Sequence, residues 1–445
     1  MVSTKWGSSL AAHIYLLLFS HLAGRAAAAP TTSSPSSSSY RAETLTAVKA
    51  LQSWYNPSTG LWNTAGWWNS ANCLQVLADW TMTDNSSATT LINVPGIMQN
   101  TFTKAQQTTV STQKTVSART GHITSTYTLQ AKHIHGNSRR GFSGFINDFY
   151  DDEGWWALAL IRSWDATRNA GYLATAESIF ADMVNGTDAV CGGGVWWSKA
   201  RKYKNAIANE LYLSVAAALA RRVPDAGRRA RYLQTAKDQW GWFRRSGMIN
   251  GESLINDGLT IKEDGSCVNN GAQTWSYNQG VVLGGLVELA YATGDVGYVR
   301  EAVPIAVAAV KKLTTTVDGV VVIREVDRCE PDCGLDGPQF KGVFVRNLGY
   351  LVVAVSTAPE RVLKGAIEAN ARSVWNRDRE SGTNRLGISW AGPVSAGQGP
   401  NASTHSSAMD VLVAARGVAG LSPRGLGMGM WKVEEGESGS EGAKV

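Results

Sequence analysis

The chain has 445 residues, 44% hydrophobic and 18% charged, which excludes a disordered polypeptide and leaves room for one large domain or two ordinary ones. Its net charge is +6, and no Lys/Arg block is interleaved with aromatics, so a nucleic-acid-binding surface is not expected. Seventeen Trp against nine Phe favour flat apolar faces of the kind that stack on sugar rings, although large helical cores also use Trp.

At the N-terminus, Lys5, the apolar run 10–19 and Ala26, Ala27, Ala28 and Ala29 follow the charged, apolar and small-residue order of a secretory signal peptide, expected over residues 1–29. A Ser/Thr/Pro-rich linker is expected over 30–41, ahead of a catalytic domain at 42–421. The polar acidic tail at 422–445, which is expected to be disordered, has no hydrophobic stretch of the kind a GPI signal requires. No later segment reaches the roughly 20 apolar residues of a spanning helix. A secreted or wall-associated monomer with no stable membrane anchor is therefore expected. Five Cys follow the leader. Cys329 and Cys333 can close a small loop, Cys191 and Cys267 are the second candidate pair, and one Cys must stay unpaired within the chain. No spacing makes a zinc site, and His133 and His135 read as surface residues. Glycosylation sequons begin at Asn85, Asn185 and Asn401.

From Ala42 the apolar spacing is helical, and the i, i+3, i+4 pattern predicts about twelve helices. They cover 42–54, 72–83, 91–107, 152–167, 171–185, 205–223, 226–246, 277–293, 296–313, 339–355, 359–376 and 405–419. The β-branched run 320–326 is the best candidate for a strand. Connections after odd-numbered helices are long and rich in Gly, Trp, Asn and Asp, whereas those after even-numbered helices are a few residues. Even-numbered helices are apolar nearly all round, and odd-numbered ones expose charge. The fold class expected is therefore all-α, a toroid of inner and outer helices with its long loops at one end. Gly284 and Gly285 inside an inner helix suggest close helix packing.

At that end lies the stretch 144–160, where Asp151-Asp152-Glu153-Gly154-Trp155-Trp156 opens an inner helix. Neighbouring Asp side chains diverging at a helix start can hold their carboxyls on the order of 5 Å apart, the separation of a retaining glycosidase. The helix N-terminus favours an ionised nucleophile, and its charge raises the proton affinity of the second carboxyl, which can then serve as acid. Acidic residues are also common there for capping alone. Context comes from the loop Gly192-Gly193-Gly194-Val195-Trp196-Trp197, from Asn205, Asn209 and Tyr212 entering an Ala-rich inner helix, and from Thr274-Trp275-Ser276-Tyr277-Asn278-Gln279-Gly280. Polar groups buried there need partners, either sugar hydroxyls or other loop residues. Whether Trp67, Trp68, Trp196 and Trp197 line subsites or pack is open at this stage.

Those motifs, with Lys204-Asn205-Ala206-Ile207-Ala208-Asn209-Glu210-Leu211 and Tyr277-Asn278-Gln279-Gly280, resemble glycoside hydrolase family 76 over about residues 42–420. The resemblance implies an (α/α)6 toroid and an endo-α-1,6-mannanase, or a cell-wall transglycosylase acting on mannan or GPI glycan. It implies catalysis with retention, Asp151 as nucleophile and Asp152 as acid/base. Trp196, Trp197, Asn205, Asn209, Glu210, Tyr277 and Asn278 are the expected substrate-binding residues, with α-1,6-mannan or its oligosaccharides as partner. No metal or organic cofactor is implied. Two rivals use the same toroid: a lectin-like wall protein, which has no need of adjacent carboxylates, and an inverting hydrolase or lyase. Inversion needs a partner 6.5 to 9.5 Å away, such as Glu210 or Asp257.

Overall fold

A computed structural model describes residues 37–107, 109–116, 123–130, 144–326, 333–355, 360–396, 399–419 and 421. The expected leader, the first part of the linker, the tail, His133, His135 and Cys329 lie outside the described residues. Twelve long helices occur among those described. They are α1 Ser37–Leu51, α2 Trp67–Thr83, α3 Val94–Ala105, α4 Tyr150–Thr167, α5 Ala170–Val184 and α6 Ala206–Arg222. The rest are α7 Ala226–Arg245, α8 Ser276–Thr293, α9 Gly297–Leu313, α10 Gly337–Ala354, α11 Glu360–Arg377 and α12 Ala402–Ala419. Two helix starts lie five residues before expectation, those of α1 and of α2, which begins at Trp67 rather than 72. Residues 37–41, read as linker, form the first turn of α1, because Tyr40 is buried and Arg41 pairs with Asp84.

The even-numbered helices form the inner ring. Each packs on the next, and α12 packs back on α2, so the ring closes. Apolar residues surround these helices on all sides, as in α6, where Ala206 through Ala220 are buried. Outer helices show one apolar stripe: α7 buries Ala236, Trp240 and Phe243 and exposes its arginines. Close approach in the ring depends on missing side chains. A Cβ on Gly280 would lie 2.6 Å from Phe344 Cα, and one on Gly285 would lie 2.7 Å from Ser214 Oγ. Trp62, Trp80, Trp156, Trp275 and Trp390 are fully buried, so much of the Trp excess is core rather than binding surface.

Loops after the odd-numbered helices gather at the N-terminal end of the inner helices. Among the described residues four antiparallel hairpins lie in them: β1 Tyr55–Asn56 with β2 Leu61–Trp62, β3 Thr109–Val116 with β4 Ile123–Gln130, β5 Leu259–Ile261 with β6 Cys267–Asn269, and β7 Thr314–Val317 with β8 Val320–Ile323. The last contains the expected strand. The Cys191–Cys267 disulfide ties the Gly-rich loop to β6, Cys73 is free and buried, and Cys333 is also disulfide-bonded. At the opposite end, Arg162 joins Asp79 to Asp165 and Arg222 joins Asp165 to Glu288, linking α2, α4, α6 and α8. A cavity of about 330 Å³ opens there, lined by Arg162, Arg222, Glu288 and Tyr350, and none of the expected site residues reaches it. No helix among the described residues is long and apolar enough to cross a membrane.

Candidate active site

The start of α4 has no side-chain cap, and its first turn is acidic instead: Asp151, Asp152 and Glu153 are all buried. Asn147 shapes the entry. Its Oδ1 accepts from Phe149 N at 2.8 Å, and its Nδ2 donates to Asp152 Oδ2 at 2.7 Å. Glu153 pairs with Lys199 Nζ at 2.6 Å, and Asn147, whose backbone N donates to Glu153 Oε1 at 3.2 Å, links that cluster to the aspartate pair.

Asp151 and Asp152 stay together but live in different surroundings. Asp151 Oδ2 accepts from Trp197 Nε1 at 3.0 Å and Lys114 Nζ at 3.2 Å, while its Oδ1 is buried with no hydrogen-bond partner. Asp152 is fully buried, with Lys114 Nζ at 2.7 Å from its Oδ1. One ammonium reaches both residues, so the two oxygens lie at most about 6 Å apart, compatible with a retaining pair. Burial, reinforced by the Asp151 charge and opposed by Lys114, pushes the Asp152 carboxyl up to about 7.

Three more carboxylates face the same space. Asp257 accepts from Tyr203 Oη at 2.5 Å, keeps Oδ1 unpartnered, and is raised by burial to about 6. Both Glu210 oxygens are buried without partners, and burial raises this carboxyl well above its usual range. Asp336, before α10, accepts from Trp68 Nε1 and Ser125 Oγ, each at 2.6 Å. Tyr277 stands among them. Burial first, then the charges of Asp257, Asp151, Asp336 and Glu210, push its phenol up. Its ring stacks on Phe340 at 3.9 Å, and Phe340 stacks on Trp68, which stacks on Trp155.

Of the expected binding residues, the structure therefore brings Trp197 and Tyr277 to the pair, and Glu210 to Asp257 and Tyr277. Asn278 lies beside Asp257 without a regular hydrogen bond. Asn205 is mainly a cap: its Oδ1 accepts from Ala208 N, leaving Nδ2 buried and unpartnered. Two expectations are corrected. Asn209 has no capacity left for sugar, because Val195 N, Gln239 Nε2, Val195 O and Asn205 O use its amide to hold the Gly-rich loop. Trp196 donates to Asp188 Oδ2 and lies under Lys204, away from the pair. Asn401, the third sequon, accepts from Ser403 N and Thr404 N to cap α12, whereas Asn85 and Asn185 are exposed.

Sequence reasoning missed Lys114, Ser125, Asn147 and Asp336. The Thr- and Val-rich alternation of 109–116 and 123–130 is a strand signal. Nothing local, however, tells that Lys114 ends 37 residues away on Asp151.

Comparison with known proteins adds an independent line. Residues 38–418 match Glycosyl hydrolase family 76. The chain is 29% identical over 242 residues to mannan endo-1,6-alpha-mannosidase DFG5 of Candida albicans, covering 50% of this chain and 51% of that one. DCW1 of Saccharomyces cerevisiae, also a mannan endo-1,6-alpha-mannosidase, is 26% identical over 65% of this chain and 66% of its own. The chain spans about half the length of the first two curated relatives it matches. In structure it is similar to the α-1,6-mannanase GH76A of Salegentibacter sp. HEL1_6, with a TM-score of 0.65, 21% identity, and coverage of 84% of this chain and 98% of that one. Dfg5 of Chaetomium thermophilum in complex with glucosamine superposes with a TM-score of 0.64 at 17% identity, over 87% and 92% of the two chains.

Proposed function

The chain belongs to glycosyl hydrolase family 76, and on that premise we propose that it is a retaining endo-acting hydrolase of α-1,6-linked mannan, working outside the cell. The observation that carries the reading is the asymmetry of the aspartate pair. Asp151 has one oxygen held by the Trp197 indole and one buried and free, as a nucleophile requires. Asp152 is buried enough to hold a proton near neutrality, as a general acid requires.

In the first step Asp151 Oδ1 bonds to the anomeric carbon as the glycosidic C–O bond breaks, and Asp152 gives its proton to the departing oxygen. In the second, Asp152 takes a proton from an incoming hydroxyl, whose oxygen displaces Asp151 and restores the original configuration. Water as the incoming group gives hydrolysis, and a sugar hydroxyl gives transfer. Asp257, Glu210 and Asn278 supply buried, unsatisfied polar atoms for sugar hydroxyls, and Tyr277 and Trp197 supply ring faces. Support for the substrate comes from relatives named for mannan and from α-1,6-mannotriose bound to an inactive Salegentibacter variant in which two adjacent aspartates are asparagines. The Cys191–Cys267 disulfide suits an oxidising, extracellular setting.

Product analysis on unbranched α-1,6-mannan tests this, with Asp151→Asn and Asp152→Asn variants whose folding is checked by circular dichroism. Short oligomannosides from wild type, and at least a hundredfold less from either folded variant, are expected. Binding without release of product, with or without an acceptor oligosaccharide, would move the chain to the lectin-like reading.

A further inference from the structure

Cleavage needs the anomeric carbon against Asp151 and the leaving oxygen against Asp152, yet the Lys114 ammonium occupies that position, 3.2 Å from one carboxylate and 2.7 Å from the other. The three side chains are sealed together, 4%, 9% and 0% exposed. No step of a retaining mechanism uses a cation bridging the two carboxylates. A bridging cation favours both as anions, whereas the first step needs one of them protonated.

The hairpin that carries Lys114 is built to lie in the site. Lys114 is directly opposite Ser125 in the β3–β4 register, so both side chains project from one face. Ser125 Oγ reaches Asp336, while Gln113, Thr115 and Thr126, which alternate with the two anchors, are exposed. The Lys114 ammonium also sits 4.5 Å above the Phe149 ring and 5.4 Å from that of Trp197, aromatic faces beside the aspartate pair. Burial opposes its charge, but the fields of Asp151, Asp152 and Asp336 prevail and raise its pKa.

We propose that hairpin β3–β4 is a tethered occupant of the active site, with Lys114 standing where the scissile bond must lie, so that glycan enters only after the hairpin lifts. This rests on the reading of Asp151 and Asp152 as the catalytic pair. The anchors described are polar and charged, contacts that water or a sugar hydroxyl can replace one at a time. Such an occupant lowers apparent affinity by the fraction of molecules in which it is seated. It is also excisable. Thr109 faces Gln130 at the open end of the ribbon, and paired strand residues are about 5 Å apart, so a two-residue linker spans the gap.

The test compares wild type with Lys114→Ala, Lys114→Arg and a variant whose residues 109–130 are replaced by Gly-Ser. Affinity is measured by calorimetry with an uncleavable S-linked α-1,6-mannotriose, and rates on α-1,6-mannan. Lys114→Ala and the excised chain should bind at least tenfold more tightly and gain at least tenfold in kcat/KM, while Lys114→Arg stays near wild type. Unchanged or weaker affinity in both would overturn the proposal and make Lys114 part of the machinery. Tighter binding with no product from any variant would keep the occupant and reject the hydrolase. Unchanged affinity with undiminished cleavage would do the reverse.

Discussion

The two oxygens of Asp151 are in different states: Trp197 Nε1 and Lys114 Nζ both reach Oδ2, while Oδ1 has no partner. Trp197 Nε1 fixes Oδ2, so Oδ1 is the oxygen left to react. Replacing Trp197 by Phe removes the N–H and keeps a ring. A kcat loss of about tenfold with KM little changed is expected, because orientation rather than binding is impaired. Steady-state kinetics on mannan oligosaccharides checks this, and an equal rise in KM would instead assign the ring to sugar stacking. At this scale the sequence was legible where chemistry is local. Adjacent Asp at a helix start, and amides entering an apolar helix, can be read from spacing. It was misleading at Asn209 and Trp196, because a buried amide finds backbone as readily as sugar, and neighbouring Trp residues on extended chain face opposite ways.

Helices were legible for a different reason. Apolar residues all round mark an inner helix and a single stripe marks an outer one, so α3 to α12 were found within three residues of their ends, whereas α2 begins at Trp67, five residues before its expected start. The start of α1 was missed because its Ser-rich turn reads as linker, and its stability comes from long-range contacts of Tyr40 and Arg41. The β3–β4 hairpin was missed although Val110, Val116, Ile123, Tyr127 and Leu129 alternate with polar residues, because Thr112, Lys114 and Ser125 interrupt that apolar series. Inner helices also carry a testable packing constraint. Gly280→Ala puts a methyl against the backbone of α10, which cannot rotate away, and a stability loss of about 1–3 kcal/mol by denaturant unfolding is expected. Gly251, whose Cβ would meet nothing within 4 Å, is the control and should change little on the same substitution.

For the molecule as a whole, its buried carboxyls respond to pH in two opposite ways. Asp152 and Asp257 are raised to about 7 and 6, Asp410 on Arg346 is raised to about 7, and Glu210 and Glu153 are also raised, all chiefly by burial. A carboxyl raised in the folded state binds protons there that the unfolded chain has already released, so it lowers stability as pH climbs from about 4 toward 7. Asp84, lowered to about 2 by Arg41 and Arg416 against the cost of burial, works the other way, as do Asp165 and Glu288 at the arginine end. Their contribution is present above about pH 4 and lost below it. Maximal Tm is therefore expected near pH 4–5, falling on both sides, in a thermal-melt series across pH 2–8. Asp151→Asn should flatten the alkaline limb by relieving the repulsion that raises Asp152 and Asp257. Closure of the ring was readable from alternating loop lengths. The charge pattern within it was not, since the aspartate pair meets Glu210, Asp257 and Asp336, from three other segments, only once the ring has formed.

If Asp151 and Asp152 cleave α-1,6-mannosidic bonds with retention, as proposed, the first anomer released carries the signature. Proton NMR of the first minutes of α-1,6-mannotetraose hydrolysis tests it most directly. New reducing ends should appear first as the α-anomer and then mutarotate, and neither signal should grow with Asp151→Asn. Initial release of the β-anomer would contradict retention, showing that water attacks directly and that the base is a more distant carboxylate such as Asp257 or Glu210.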